Sequence, residues 1–318
     1  MKILFLGTPE FAVASANAIL QSENHSLIGI VCQPDRDMDR KGNVIFSPMK
    51  QFAQQNGIEC YQWEKISRDG VDTIKELAPD IMITAAYGQI LSQEIIDIPK
   101  FGIINVHGSL LPKYRGASPI QTALINGDKE TGITIMKTEA GLDTGDIIST
   151  EKVVINEEET CGELMARMSE IGAKLLIKTL DKIETGTAEY IPQIQVDASI
   201  TTKISKKQAF INFEKTAKEL KSQILGMNPE PIAYTSLNGV TMNVYRARVA
   251  PETFSTSLPC GTVIAPTSVK AGLFVQCNRS VLEILELQFA GGKKMSSKDA
   301  INGNKIKLGD KFSAGNSI

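Results

Sequence analysis

The chain alternates short apolar runs with longer stretches in which apolar residues recur at helical spacing. The runs 3–6, 27–32, 81–85 and 103–106 have the length and composition of buried strands. Helical periodicity covers residues 11–20, 49–56, 71–77 and 159–185. Apolar strands that alternate with helices are typical of a mostly parallel sheet. The first half is therefore predicted to be an α/β sheet with helices on both faces.

The longest helical pattern, residues 159–185, carries a single apolar stripe. Thr160 is followed three residues later by Glu163, which is typical of a capping box at a helix N-terminus. The stripe is formed by Cys161, Leu164, Met165, Met168, Ile171, Leu175, Leu176, Leu180 and Ile183. A stripe of this kind predicts a helix that packs one face on the sheet.

The second half has a different pattern. A helix is predicted over residues 217–227, and short alternating segments follow at 233–237, 240–249, 261–265, 273–277 and 281–287. The pair Asn238-Gly239 between two of these segments is a strong hairpin signal. About five short strands in a stretch of this length predict a small β-barrel.

A polar stretch separates the two halves. Residues 189–208 are rich in Thr, Ser and Lys and show no sustained periodicity. We therefore predict a first domain over 1–188, a linker over 189–207 and a second domain over 208–318.

Charge differs between the halves. Of the 34 Lys+Arg and 36 Asp+Glu in the 318 residues, residues 1–202 hold 18 and 28, a net charge of −10. Residues 203–318 hold 16 and 8, a net charge of +8. The basic half is suited to a polyanionic partner, although lysines that only solubilise a small domain would give the same count.

The remaining composition excludes several classes of protein. No run is long and apolar enough to cross a membrane. Five scattered cysteines, with no Cys-x-x-Cys and only two histidines, predict reduced thiols in a cytoplasmic protein and no metal site. The turn after the first strand contains Gly7 but lacks the further glycines of a dinucleotide fingerprint.

The pair Asn105 and His107 lies at the end of a predicted strand. Residues two apart in a strand point to the same face, so both side chains should project together. The carboxyl end of such a strand is where open α/β sheets bind ligands. An imidazole can exchange a proton near pH 7, and an amide N–H can stabilise an oxyanion, so the pair fits acyl-type transfer. A hydrogen-bonded structural histidine is the alternative.

Asp143 lies between Gly141 and Gly145 in a glycine-rich segment, 139–148. A carboxylate on such a loop can orient a histidine and stabilise its cation. Considered alone it would be a turn carboxylate, but together with Asn105 and His107 it completes a candidate catalytic set.

These residues carry a family resemblance. Asn105-x-His107-x-Ser109-Leu110-Leu111-Pro112, with Asp143 downstream, resembles the formyltetrahydrofolate-dependent formyltransferases. The segment 86–91, Ala-Tyr-Gly-Gln-Ile-Leu, is similar to the one that lines the pterin pocket in that family, although Ser92 stands where many members have Pro. The resemblance implies a Rossmann-like sheet and 10-formyltetrahydrofolate as formyl donor. The folate-binding residues that it implies are Tyr87, Gly88, Ser109, Leu110, Leu111 and Pro112.

The second half is similar to the C-terminal domain of the family members that act on methionyl-tRNA. The similar segments are 203–235 and 287–295. The resemblance implies an OB-like barrel that helps to hold tRNA, and a loop over 33–50 that approaches the acceptor end. The candidate tRNA contacts are Arg36, Arg40, Lys41, Lys203, Lys206 and Lys207. Asp35, Asp37 and Asp39 make the loop less basic than such a role would suggest.

We therefore expect formyl transfer from 10-formyltetrahydrofolate to the α-amino group of methionyl initiator tRNA. Asn105 would stabilise the oxyanion, His107 would carry the proton, and Asp143 would orient and balance His107. No metal, membrane or obligate protein partner is expected. Two alternatives stay open: a formyltransferase of the same fold that acts on a small amine such as a ribonucleotide or sugar nucleotide, and a non-catalytic RNA-binding protein.

Overall fold

A computed structural model describes residues 1–38, 41–251, 257–264 and 272–313. The chain divides into two compact units that interleave along the sequence. The first comprises Met1–Pro119, Thr131–Val154 and Met165–Thr201, and the second Ile120–Glu130, Ile155–Leu164 and Thr202–Ile318. The domain limits at 188 and 208 stay predictions.

The first unit is built on a seven-stranded sheet. The strands of this unit are β1 Lys2–Gly7, β2 Ser26–Cys32, β3 Cys60–Gln62, β4 Ile81–Ala85, β5 Ile103–His107, β6 Arg115–Gly116, β7 Glu130–Lys137, β8 Ile147–Val154 and β9 Ile200–Thr201. The sheet order is β3-β2-β1-β4-β5-β7-β8, while β6 and β9 form a separate parallel pair. Strands β3 to β5 along this order pair in parallel, and β7 runs antiparallel to β5. The predicted mostly parallel sheet is confirmed.

Helices cover both faces of this sheet. They are α1 Glu10–Leu20, α2 Pro48–Gln55, α3 Ile66–Asp69, α4 Val71–Leu77, α5 Gln93–Ile96 and, from Met165 onward, α7 Cys161–Glu184. Helix α6 Pro119–Ile125 belongs to the second unit from Ile120 onward. Leu4, Met82 and Ile103 share a buried cluster with residues of α3, α4 and α5. Val106, three residues after Ile103 and therefore on the opposite face, lies against Gly172 of α7.

The start of α7 has the predicted cap. The Thr160 backbone N–H donates to Glu163 Oε2 at 2.9 Å, and the Glu163 N–H donates to Thr160 Oγ1 at 3.3 Å. Each side chain thus satisfies a backbone donor that the first helical turn leaves unpaired.

The second unit contains an antiparallel sheet. Its elements are β10 Ala233–Leu237, β11 Val240–Val249, β12 Val263–Ile264, β13 Leu273–Cys277, β14 Ser280–Phe289, β15 Met295–Ser296, α8 Ala217–Gly226 and α9 Ser297–Asn302. The order is β10-β11-β14-β13-β12, with β15 beside β14. Leu237 pairs with Val240 around Asn238-Gly239, which confirms the predicted hairpin. Single bridges from Phe312 to Leu237 and from Lys311 to Thr262 link the two edges, in keeping with the predicted small barrel.

The polar stretch after α7 is hydrogen bonded to the first unit. Residues up to Thr201 belong to that unit, and β9 lies parallel to β6. Within this stretch, Gln195–Asp197 forms a short 3₁₀ turn, and a second one, Lys206–Ala209, lies in the second unit. The stretch from 189 to 201 is therefore a folded part of the first unit.

Gly7 marks a close approach between β1 and α1. A Cβ atom at this position would lie 2.6 Å from Ala12 Cβ and 3.0 Å from the Ala85 carbonyl oxygen. We expect Gly7→Ala to reduce the free energy of unfolding by about 1–3 kcal/mol, because backbone must move to admit the methyl group. Urea denaturation measures the difference.

Gly172→Ala is the matched control. The nearest atoms to its added Cβ are ends of side chains, Val106 Cγ1 at 3.2 Å and Ile133 Cδ1 at 3.6 Å. The helical preference for Ala over Gly, about 1 kcal/mol, opposes this milder crowding. Equal losses from both substitutions would show that the contact with Ala12 and Ala85 is not the cause.

Candidate active site

Two segments bring Asn105, His107 and Asp143 together. Asn105 and His107 come from the carboxyl end of β5, and Asp143 comes from the loop between β7 and β8. Asn105 Nδ2 lies 3.4 Å from Asp143 Oδ1, and His107 Nδ1 lies 3.6 Å from Asp143 Oδ2. The grouping therefore unites an amide donor, an imidazole and a carboxylate within one small volume.

The amide of Asn105 is held in one orientation. Its Oδ1 accepts a hydrogen bond from Thr84 Oγ1 at 3.0 Å, and its Nδ2 faces the Asp143 carboxylate. A carboxylate accepts hydrogen bonds, so the nitrogen must be on that side. Thr84 lies on β4 in register with Asn105 of β5. The amide thus presents its N–H groups toward Asp143 and the space around it.

His107 is oriented by a backbone carbonyl. Its Nε2 lies 2.9 Å from the carbonyl oxygen of Tyr114. Because a carbonyl only accepts, Nε2 carries the hydrogen, and Nδ1 is the ring nitrogen that can gain or lose a proton. The 3.6 Å between Nδ1 and the Asp143 carboxylate exceeds an ordinary hydrogen bond. Asp143 therefore acts on His107 through charge, while Tyr114 fixes the ring.

The pKa of His107 is lowered by its surroundings. The residue is only 5% exposed, and burial is the largest cause, because it disfavours the charged imidazolium. The negative charge of Asp143 and the hydrogen bond to Tyr114 oppose this shift. The neutral form of the imidazole is consequently favoured.

Asp143 is held by its loop and by a backbone donor. The Gly116 N–H donates to Asp143 Oδ2 at 2.7 Å. Asp143 has a φ of 50°, in the left-handed region. The amide of Gln193 donates to the carbonyl oxygens of Asp143 at 2.9 Å and Gly145 at 2.8 Å. Both the carboxylate and its backbone are therefore restrained.

The loop Ser109 to Pro112 follows β5 and is stabilised internally. Ser109 Oγ donates to the Lys113 carbonyl at 2.6 Å. Thr134 of β7 donates to the Ser109 carbonyl and accepts from the Leu111 N–H, at 2.7 and 3.1 Å. Ser109 and Leu111 are buried, while Leu110 and Pro112 are partly exposed. Folate contacts by these residues remain predictions.

The segment with Tyr87 and Gly88 follows β4. Gln33 Nε2 donates to the Tyr87 carbonyl at 3.0 Å, and the Gln33 N–H donates to Thr8 Oγ1 at 3.1 Å. Gly88 has a φ of +86°, which glycine adopts readily. The Tyr87 ring is buried, which raises the pKa of its hydroxyl. Because β4 runs parallel to β5, this segment lies at the same edge of the sheet as Asn105.

The residues predicted to contact tRNA lie on the surface where they are described. Arg36 pairs with Glu64 at 2.6 Å, and both side chains are largely exposed. Lys41 is exposed, and so are Lys203, Lys206 and Lys207 of the second unit. Arg40 lies outside the described residues, as does Asp39. A role in tRNA binding remains a prediction for all six basic residues.

The loop after β2 has a fixed base and an apolar surface. Lys50 of α2 pairs with Asp35 and donates to Gln62 Oε1 at 2.7 Å, and Gln62 Nε2 donates to Asp35 Oδ1 at 3.1 Å. Beyond this base, Met38 and Val44 form a bridge and are both exposed. The base is therefore held by an ion pair and hydrogen bonds, and the part beyond it exposes the apolar side chains of Met38 and Val44.

Sequence reasoning missed the supporting groups Thr84, Tyr114, Gly116 and Gln193. Thr84 has a usable signal, since it is a polar residue near the end of the apolar run 81–85. Tyr114 and Gly116 act through backbone atoms, which no residue type reveals. Gln193 lies fifty residues from Asp143 in sequence. Such contacts depend on tertiary structure.

Within the described ranges, no three His, Cys, Asp or Glu side chains form a group that could hold a metal ion. No described helix is long and apolar enough to span a membrane.

Comparison with known proteins gives full-length matches. The family model for formyl transferase matches residues 1–180, and that for the formyl transferase C-terminal domain matches residues 203–305. The methionyl-tRNA formyltransferase of Acetivibrio thermocellus is 41% identical over 311 residues, which cover 98% of this chain and 99% of that protein. The methionyl-tRNA formyltransferase of Clostridioides difficile is 42% identical over 310 residues, 97% of this chain and 99% of that protein.

Solved structures show the same fold at low identity. One is an N-formyltransferase from Helicobacter canadensis in complex with folinic acid and dTDP-3-aminofucose. It superposes with a TM-score of 0.65 at 21% identity and covers 89% of this chain and 98% of that chain.

The burial of His107 predicts its titration. We expect its imidazole to titrate below the ordinary value of about 6.5, because burial lowers the pKa. Asp143→Asn should lower it further, since the carboxylate charge opposes that effect. NMR spectra of the imidazole protons measure both titrations, and with two histidines in the chain a His107→Gln variant assigns the signals.

The lowered pKa of His107 also predicts how the free energy of unfolding depends on pH. The unfolded chain takes up a proton on this histidine before the folded protein does, so His107 contributes a loss of stability as pH falls below about 6.5. A midpoint at or above the ordinary value, or a rise after Asp143→Asn, would contradict this description of the site.

Proposed function

Since the chain belongs to the formyl transferase family, we propose that it transfers a formyl group from 10-formyltetrahydrofolate to the α-amino group of methionyl initiator tRNA. The observation that carries the acceptor is the full-length identity of about 40% to methionyl-tRNA formyltransferases, across both family regions. The acceptor amine would therefore be presented by a large polyanion.

In the reaction, the neutral amine attacks the formyl carbon and a tetrahedral oxyanion forms. A free α-amino group has a pKa of about 7.7–8.0, so part of the substrate arrives protonated and a base is useful. The C–N bond to the amine forms, the bond to N10 of the folate breaks, and N10 takes a proton. The formyl donor is thereby left as tetrahydrofolate.

Asn105 is suited to stabilise the oxyanion. Thr84 fixes the amide oxygen, so the Nδ2 hydrogens point toward Asp143 and the neighbouring space. A donor that is already oriented stabilises developing charge without reorganisation during the reaction. The role of oxyanion donor therefore falls to Nδ2.

His107 is suited to move the proton through Nδ1. Nε2 is engaged by the Tyr114 carbonyl, which leaves Nδ1 to accept a proton from the attacking amine and return it to N10. The imidazolium formed in between would face the Asp143 carboxylate at 3.6 Å. Asp143 would thus stabilise the cation for which burial is unfavourable.

The binding surfaces are proposed on the same basis. Tyr87, Gly88 and the loop from Ser109 to Pro112 lie next to β4 and β5 and would contact the folate. The loop 33–50 would approach the acceptor end of the tRNA through Arg36, Arg40 or Lys41. Binding by Arg36 would require exchange of its Glu64 partner. The basic region 203–318, with Lys203, Lys206 and Lys207, would hold the tRNA backbone.

The formylation assay tests this function directly. The protein, 10-formyltetrahydrofolate and charged initiator tRNA should yield formylmethionine, and a free amino sugar nucleotide in place of the tRNA should not be formylated. Formylation of the small amine alone would favour the small-amine alternative. Binding of tRNA with no transfer to either acceptor would favour the non-catalytic one.

Substitutions separate the proposed roles. We expect Asn105→Ala to lower turnover about 100- to 1000-fold, as loss of one oxyanion donor does. His107→Ala should cost about 100- to 10,000-fold, the usual contribution of a positioned acid–base group. Single-turnover formylation measures both. Near-normal turnover by a folded His107→Ala protein would remove His107 from the mechanism.

The charge of the second unit predicts salt dependence. Replacing Lys206 and Lys207 by Gln should weaken tRNA binding and flatten the plot of log affinity against log salt, by about 0.7–0.9 per lost phosphate contact. Filter binding at several salt concentrations measures the slopes, and folate binding should not change.

Lys305→Gln with Lys307→Gln is the matched control, because it removes the same charge from the same unit. Equal slopes for the two double variants would mean that overall charge, and not contact by Lys206 and Lys207, accounts for any effect.

A further inference from the structure

Residues 193–201 contact two loops of the candidate active site, the one that contains Tyr114 and the one that contains Asp143. The Tyr114 N–H donates to Ser199 Oγ at 2.9 Å, and the Arg115 N–H donates to the Ser199 carbonyl at 2.8 Å. Tyr114 carries the carbonyl that orients His107. Residues 193–201, named here the supporting strap, therefore contact the backbone on which the His107 ring depends.

Gln193 connects the strap to the other loop. Its Nε2 donates to the Asp143 carbonyl at 2.9 Å and the Gly145 carbonyl at 2.8 Å. Its Oε1 accepts from Arg115 Nε at 3.0 Å and Nη2 at 2.7 Å. Two donors and two acceptor positions are all that an amide side chain has, so every one of them is used.

The loop that Gln193 holds has a demanding conformation. Asp143 adopts a left-handed φ of 50°, which is unfavourable for a residue with a side chain. A Cβ at Gly145 would clash with the Lys137 carbonyl, and a Cβ at Gly141 would clash with the Thr144 hydroxyl. The two hydrogen bonds from Gln193 therefore stabilise a backbone conformation that is unfavourable by itself.

We propose that Gln193 is a positioning residue for formyl transfer, which keeps the Asp143 carboxylate against Asn105 and His107. The proposal rests on the function proposed above. It predicts that loss of the two amide donors loosens the loop 141–145 and withdraws the carboxylate from His107.

A competing role for Gln193 would be to support Arg115. The Arg115 side chain is 5% exposed, and it also donates from Nη1 to Gln195 Oε1 at 2.8 Å. Gln195 thus shares the arginine, but among the described residues none of its side-chain hydrogen bonds reaches the loop 141–145. Gln195→Leu is therefore the matched control for Gln193→Leu.

The first test needs no substrate. Among the described residues, the groups that act on the His107 imidazole are the Asp143 carboxylate and the Tyr114 carbonyl. NMR titration of His107 should give a lower midpoint in Gln193→Leu than in the wild type, in the direction of Asp143→Asn. Gln195→Leu should keep the wild-type midpoint. An unchanged midpoint in folded Gln193→Leu would overturn the proposal.

The second test separates the two roles by chemistry. Gln193→Glu keeps an acceptor for Arg115 but places a carboxylate oxygen against the carbonyls of Asp143 and Gly145. If the donors position the loop, kcat should fall about 10- to 100-fold in both Gln193→Leu and Gln193→Glu, with little change in KM for the folate, as expected when a reacting group is misplaced. Wild-type kcat in Gln193→Glu would overturn the proposal in favour of support for Arg115.

The two tests also distinguish this inference from the proposed function. If the wild type fails to formylate methionyl-tRNA, the function is wrong, and the His107 titration still reports whether Gln193 holds the carboxylate. If the wild type formylates and Gln193→Leu matches it in both kcat and pH profile, the function stands and the positioning role falls. Thermal unfolding of each variant confirms that the folded proteins are being compared.

Discussion

A partly buried carboxylate next to a buried imidazole is the arrangement on which the site depends. Burial disfavours both charges, so each group needs donors, acceptors or an opposite charge close by. Asp143 receives the Gly116 N–H and faces the Asn105 amide, and His107 is fixed by a carbonyl. Thr84 and Gln193 then fix the amide and the loop. Each supporting group has a defined polar atom to satisfy.

The grouping of side chains at the end of β5 can be predicted from the sequence because side chains alternate strictly between the two faces of a strand. Asn105 and His107 had to share a face once residues 103–106 were recognised as a strand. Asp143 was recognisable from its flanking glycines and the family motif. Tyr114, Gly116 and Gln193 were not, since two of them act through backbone atoms and the third reaches Asp143 only through the path of the chain after α7.

The elements of the fold likewise divide into those that the sequence predicts and those that it does not. Strands β1, β2, β4 and β5 are continuous apolar runs and were predicted. Strand β3 has three half-buried residues, and β8 is mostly exposed in its second half, so neither has a strong pattern. The hairpin at Asn238-Gly239 and the cap at Thr160 depend on local chemistry, which sequence carries directly. The folate and tRNA contacts depend on molecules outside the chain.

The polar stretch after α7 illustrates how composition can hide structure. Residues 189–201 have the Thr, Ser and Gln content of a connector, yet their backbone and side chains are hydrogen bonded to the two loops of the site. A hybrid protein that takes only its C-terminal region from a relative should therefore be spliced after Thr201. A junction at residue 188 would replace the residues that hydrogen bond to Tyr114 and Asp143 by those of the relative. A splice site chosen from composition alone would therefore separate the site from part of its hydrogen-bonded support.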